Sequence, residues 1–109
     1  MTTKELAQRL ELKSLTTVFE RPVTGVYISD MVSDVIANAK AGNVLVTLQV
    51  HNNVIAAANL VDVAAIVLTR GRAPAGDAVA LAEKAEIPVF TTTMDSWQVA
   101  TKLYEAGIR

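Results

Sequence analysis

Two stretches of this chain, NVLVTLQV at residues 43–50 and VAAIVLT at residues 63–69, are apolar at nearly every position and not at every second one. A strand apolar on both sides has to be covered on both, and a parallel sheet meets that condition because its crossovers lay helices over its faces. Between the two stretches, NVIAAANLVD at residues 53–62 reads as a helix of about two turns. Together they predict a βαβ unit at the centre of the fold.

The flanking sequence continues the alternation. TTKELAQRLEL, residues 2–12, has Thr2 and Glu5 at capping-box spacing and Leu6 and Leu10 one turn apart, which predicts a first helix. SLTTVF (14–19) and VTGVYIS (23–29) are rich in β-branched and aromatic residues and are split by a segment holding Pro22, so two strands are expected there, adding an edge. Asp30 is placed to cap a helix carrying Met31, Val32, Val35, Ile36 and Ala39, and Gly42 to end it. After the loop RGRAPAG, Asp77 is expected to cap DAVALAEKAE, and Pro88 marks the start of a strand in EIPVFTTT. Asp95 or Ser96 then opens SWQVATKLYEAG, with Val99 and Leu103 on one face. The fold class predicted is α/β: a single domain over residues 1–109 with a mostly parallel central sheet and helices on both faces.

Composition excludes several partners. Ten basic residues against eleven acidic ones leave a formal charge of −1, and the basic residues are scattered, so no nucleic-acid surface is expected. Without cysteine and with one histidine, a transition-metal site would have to rest on carboxylates, so none is expected. No apolar run approaches the roughly 20 residues that span a bilayer, and no signal core opens the chain, so a cytoplasmic location is expected.

In an open parallel sheet, ligands bind beyond the carboxyl ends of the strands. That rule selects Ser29 and Asp30, Gln49 to Asn53, Thr69 to Arg72, and Thr91 to Ser96. Helix capping is the plainer use for such residues. Gly71 and Gly76 have phosphate-loop spacing, but Asp77 and Ala78 stand where Lys and Ser or Thr would neutralise a triphosphate, which argues against nucleotide triphosphate hydrolysis there. Arg70 and Arg72 can still meet a smaller anion or an acidic partner. His51 could serve as a general base, yet no acid stands near it in sequence and no nucleophile elbow is present. Trp97 is expected to pack in the core or at an interface, and the apolar helix from Asn53 suits contact with a second copy of the chain.

Residues 64–107 resemble the DRTGG domain family and the related N-terminal domain of bacterial HPr kinase/phosphorylase. The resemblance rests on Thr69, Arg70 and Gly71, Pro74, Ala82 and Glu83, Ile87 to Val89 and the segment from Asp95, with the GVYISD strand agreeing more loosely. It implies a regulatory or accessory α/β module that self-associates. In HPr kinase/phosphorylase such a domain precedes a separate catalytic domain, and elsewhere it accompanies CBS domains or a phosphotransacetylase. Where longer members carry an Asp-Arg pair near the end of the central strand, this chain has His51 and Asn52. The TLQVHNN variant resembles small free-standing members from anaerobic bacteria, some encoded near hydrogenase or signalling genes. The expected function is non-catalytic: binding a metabolite, an anion or a protein partner through Gln49, His51, Asn52, Thr69, Arg70, Gly71, Arg72 and Thr92. The alternatives are a small transferase or hydrolase using His51 and a pure protein-interaction domain. The residues name no cofactor.

Overall fold

The computed structural model describes all 109 residues. Helix α1 (Thr3–Arg9) opens on the capping box its sequence encodes: the Thr2 hydroxyl accepts from the Glu5 amide while the Glu5 carboxylate accepts from the Thr2 amide. There follow β1 (Lys13–Ser14), β2 (Gly25–Ile28), α2 (Val32–Asn38), β3 (Asn43–Thr47), α3 (Asn52–Val61), β4 (Ala65–Leu68), α4 (Ala78–Ala85), β5 (Val89–Thr91) and α5 (Ser96–Glu105). The five-stranded sheet runs β1-β5-β4-β3-β2, with β2 to β5 mutually parallel and β1 antiparallel on the outer side of β5.

Because successive strand residues point to opposite faces, the apolar runs divide cleanly. Leu45, Ile66, Leu68 and Val89 pack against Val35 of α2, Val54, Ile55 and Ala58 of α3, and Ala78 and Ala82 of α4. Val44, Val46, Ala65, Val67 and Phe90 pack on the other face against Leu6 and Leu10 from α1 and its end, and Val99 and Leu103 of α5. The α/β architecture with helices on both faces is therefore present, and the two early strands supply the two edges.

Several local expectations are corrected. SLTTVF forms a strand only through Ser14, because hydroxyls take over the bonding: Thr16 Oγ1 accepts from Val89 N at 2.9 Å, Ser14 Oγ donates to Thr16 O, and the Thr17 amide donates to the Glu83 carboxylate. Asp30 does not cap α2; Met31 is the N-cap residue, and the Asp30 carboxylate turns to β3. Helix α2 ends at Asn38, so Gly42 shapes the entry to β3 instead, at φ +83°, where a Cβ would come 2.3 Å from Thr24 Oγ1. Asp77 occupies the N-cap position of α4, but its carboxylate accepts from Asn52 Nδ2 and makes no bond to the helix amides. Of the two places expected for Trp97, core or interface, the core is excluded, since it is 75% exposed.

Phe90, wholly buried on the α1/α5 face, sets the scale for core stability. Phe90→Ala should lower the unfolding free energy by about 3–5 kcal/mol. Leu60→Ala, at a side chain 71% exposed on α3, should change it by less than about 0.5 kcal/mol. Urea unfolding of both variants checks the contrast.

Candidate functional site

The strand ends lie side by side. In register, Val46 pairs with Ile28, Thr47 with Leu68, and Leu68 with Thr91, so the loops after β2, β3, β4 and β5 leave the sheet on one edge.

The β2–α2 and β3–α3 loops are joined to each other. Asp30 Oδ1 accepts from Leu48 N at 2.7 Å and from the buried Thr47 hydroxyl at 3.2 Å, and Gln49 Nε2 donates to Asp30 O at 2.7 Å. Gln49, expected as a ligand contact, is thus engaged within the protein. The sequence offered Asp30 as a helix cap or as a residue of the ligand edge, and an aspartate following a strand carries no signal of which role it will take. Beside this network, Tyr27 Oη donates to Asp34 Oδ2 at 2.8 Å, and Asn38 Nδ2 donates to Asp34 Oδ1 at 2.8 Å. The Ser29 hydroxyl, then the Tyr27 phenol and the Asn38 amide, hold the Asp34 carboxyl below its ordinary 3.8. The bond to Asp34, partial burial and the carboxylate charge raise the Tyr27 phenol above 10.0.

His51 is the N-cap residue of α3 and is exposed, with no side-chain hydrogen bond. With Asn52, Asn53, Ala75 and Gly76 it lines an open hollow at the start of α3. The loop before α4 is pinned there by Ala75 N donating to Val50 O at 2.7 Å and by the Asn52–Asp77 side-chain bond. Beneath it, a small apolar hollow of about 10 Å³ between Val50, Val54, Leu68, Pro74 and Ala78 admits at most one water. Any ligand at this edge therefore lies on the outside.

The turn after β4 is held on three amides. Arg70 N donates to Met94 O at 2.9 Å, Gly71 N to Thr92 O at 2.7 Å and Arg72 N to Thr69 O at 3.2 Å. Arg70 and Gly71 are both left-handed, at φ +59° and +67°. Two such residues in succession can turn their amides into an anion cradle, but here all three N–H groups are already bonded. What the turn offers a ligand is its side chains: Arg70 and Arg72 are exposed, and the chain's single ion pair, Arg21 with Asp62, involves neither. Thr92 is half-buried, its hydroxyl accepting from Met94 N at 3.3 Å. Thr69 is wholly buried, and its hydroxyl has no hydrogen-bond partner. The edge therefore carries His51 and Asn52 over α3 and Arg70, Arg72 and Thr92 over the β4 and β5 ends. The backbone acceptors on Thr92 and Met94 that fix the turn leave no trace in side-chain sequence.

The sequence pattern of the DRTGG domain matches residues 5–106. The chain belongs to the DRTGG domain family. Among solved structures, this DRTGG domain is similar to one of the CBS and DRTGG domains of the regulatory region of Clostridium perfringens pyrophosphatase, complexed with an activator, diadenosine tetraphosphate. The two are 18% identical with a TM-score of 0.70, over 92% of this chain and 44% of that one, so the likeness is one of fold and the chain spans less than half of that structure. No curated protein sequence matches the chain.

Two substitutions at neighbouring strand ends should have opposite signs. Thr69→Val removes a buried hydroxyl that has no partner and should stabilise the DRTGG domain by about 1 kcal/mol, a rise in Tm of about 4 °C. Thr47→Val strips Asp30 of a donor and the Gln49 amide of its acceptor at 3.1 Å, and should cost about 1–3 kcal/mol. Thermal unfolding of both variants reads the two signs. Asp34 adds an acid-side prediction. Its folded carboxyl is lowered, so the stability it contributes is complete above the ordinary 3.8 and is lost as pH falls through the lower folded value. Asp34→Asn should flatten the decline of the urea midpoint in that acid range.

Proposed function

We propose that this DRTGG domain is a non-catalytic regulatory module of the cytoplasm, with residues 1–109 acting as one unit, that self-associates and binds a small anionic metabolite at the carboxyl edge of its sheet. The contacts proposed are His51, Asn52, Arg70, Arg72 and Thr92; of the set expected from the sequence, Gln49 is engaged with Asp30, the Gly71 amide with Thr92 O, and Thr69 lies wholly buried behind the turn. The observation that carries the reading is the presentation of Arg70 and Arg72: two exposed guanidiniums with no acid partner in the chain, on a turn tied at three amides. The tied turn fixes the backbone from which both side chains extend, and a guanidinium fork matches carboxylate or phosphate oxygens.

A regulatory role is supported by the relative's own setting, a regulatory region complexed with a polyphosphate activator, and it accords with the resemblance to the N-terminal domain of HPr kinase/phosphorylase. A non-catalytic role is favoured because His51 has no hydrogen-bonded acid to orient its ring, and an imidazole base acts through such an orienting group.

A thermal-shift series with nucleotides, inorganic phosphates and carboxylates tests the reading. A ligand at about 100 times its dissociation constant should raise stability by about 2.7 kcal/mol. The double variant Arg70→Ala, Arg72→Ala should lose that shift, and His51→Ala should weaken it without any turnover being lost. A series in which no anion stabilises the wild type, or in which the double variant responds as the wild type does, contradicts the proposal.

A further inference from the structure

The carboxyl end of β4 holds a hydrogen-bond donor in reserve. Three polar side chains are buried in this chain, those of Thr3, Thr47 and Thr69. Thr3 Oγ1 donates to Phe19 O at 2.6 Å and accepts from Arg21 N at 3.0 Å, and Thr47 Oγ1 donates to Asp30 Oδ1 and accepts from Gln49 N. The Thr69 hydroxyl alone has no partner. Packing does not require it, because valine has the same shape and is the residue this sheet uses throughout. A buried polar group left unbonded calls for a reason.

Its position supplies one. The ladder of β4 runs on through Thr69, whose amide donates to Thr47 O at 3.2 Å, so Thr69 points to the same face as Val67, the face that α1 and α5 cover. Met94 packs against the cluster on that face, and its carbonyl accepts from Arg70 N at 2.9 Å. Met94 thus lies at the same strand end and on the same side as the spare hydroxyl, held through the amide next to it in the chain. Arg70 makes this bond in the left-handed region, at φ +59°, where a side chain is disfavoured.

We infer that Thr69 and Arg70 exchange places on Met94 O when a phosphoryl group binds: the Arg70 amide turns to a phosphoryl oxygen and the Thr69 hydroxyl donates to the carbonyl it leaves. The inference rests on the anion reading above, and names the group recognised and the residue that adapts the site to it. In the free chain one donor of the pair is unbonded; in the complex both are bonded and Met94 O keeps a partner. The bond from Gly71 N to Thr92 O stays in place and holds the turn. Two guanidinium forks already serve the two oxygens of a carboxylate. A phosphoryl group brings a third oxygen, and the freed amide is the third donor. Thr69 does not touch the ligand; it is a positioning residue that acts through Met94 O.

Titration of the full chain with inorganic phosphate at constant ionic strength, followed by calorimetry and by the NMR signal of the Arg70 amide, tests the exchange. Wild type should bind phosphate about tenfold or more tighter than acetate, the Arg70 amide proton moving downfield on saturation. Thr69→Val should raise Tm without ligand yet raise Kd for phosphate about fivefold, the equivalent of one hydrogen bond. Thr69→Ser, which keeps the hydroxyl, should return Kd to within about twofold of wild type. Affinity for acetate should be alike in all three. Glycerol phosphate in a parallel titration separates a phosphate ester from the free ion, since the source the site is built for binds tighter. Unchanged phosphate affinity in Thr69→Val, or acetate bound as tightly as phosphate, overturns the exchange. The anion reading then still stands if Arg70→Ala, Arg72→Ala abolishes binding. A wild type that binds no anion overturns both.

Discussion

Every polar group at the working edge depends on burying both faces of β3 and β4. Val44, Leu45, Val46 and the four residues of β4 are each at most 2% exposed, which no arrangement achieves without helices on either side. Parallel pairing is slightly weaker per residue than antiparallel pairing, so the sheet is held by what covers it: α2, α3 and α4 on one face, α1 and α5 on the other. The helices fix the strand register, and the register fixes the edge. With Thr47 beside Leu68 and Leu68 beside Thr91, the loops start at one height, and side chains far apart in sequence share a rim.

The turn Thr69–Arg70–Gly71 shows how a glycine motif can mislead when read for anion binding. Its left-handed residues do bend the chain as a cradle would, but the amides close on Thr69, Thr92 and Met94 carbonyls. A left-handed arginine is disfavoured by roughly 1–2 kcal/mol, offset here by the bonds that the bend allows. The turn is accordingly a brace, and what it exposes is the pair of guanidiniums it carries. Thr69 behind it remains a buried hydroxyl without a partner, a cost that folding alone does not explain.

Strand and helix order, the parallel centre and the position of the rim were legible because burial on two faces leaves an unbroken apolar run, and because the capping boxes at Thr2 and Asp95 use side chains whose partners lie three residues away. Where a polar side chain could choose between a local and a distant partner, the sequence did not decide. Asp30 chose β3 over its own helix, Asp77 chose Asn52 over the amides of α4, and Thr16 replaced a strand residue in the ladder. Gln49 and Asn52 look alike to a reader of the sequence, yet both have their amide groups engaged, while His51 between them has none of its ring engaged. Trp97 illustrates the other limit. The sequence left it to the core or an interface, and only the helix phase set by Val99 and Leu103 shows that it lies outside the core.

The arginine turn is also tied to the start of α5. Met94 accepts from Arg70 N and is followed directly by Asp95, the residue whose carboxylate caps α5 through Gln98 N at 2.9 Å. The turn that carries the arginines and the amino end of the helix that carries Trp97 are therefore separated by one hydrogen bond and one peptide link. That link anchors the turn under Arg70 and Arg72 to the start of α5 as well as, through Gly71 N and Thr92 O, to the end of β5. In a domain of this size, with its loops starting at one height, one backbone hydrogen bond is enough to tie neighbouring loops into a single rim.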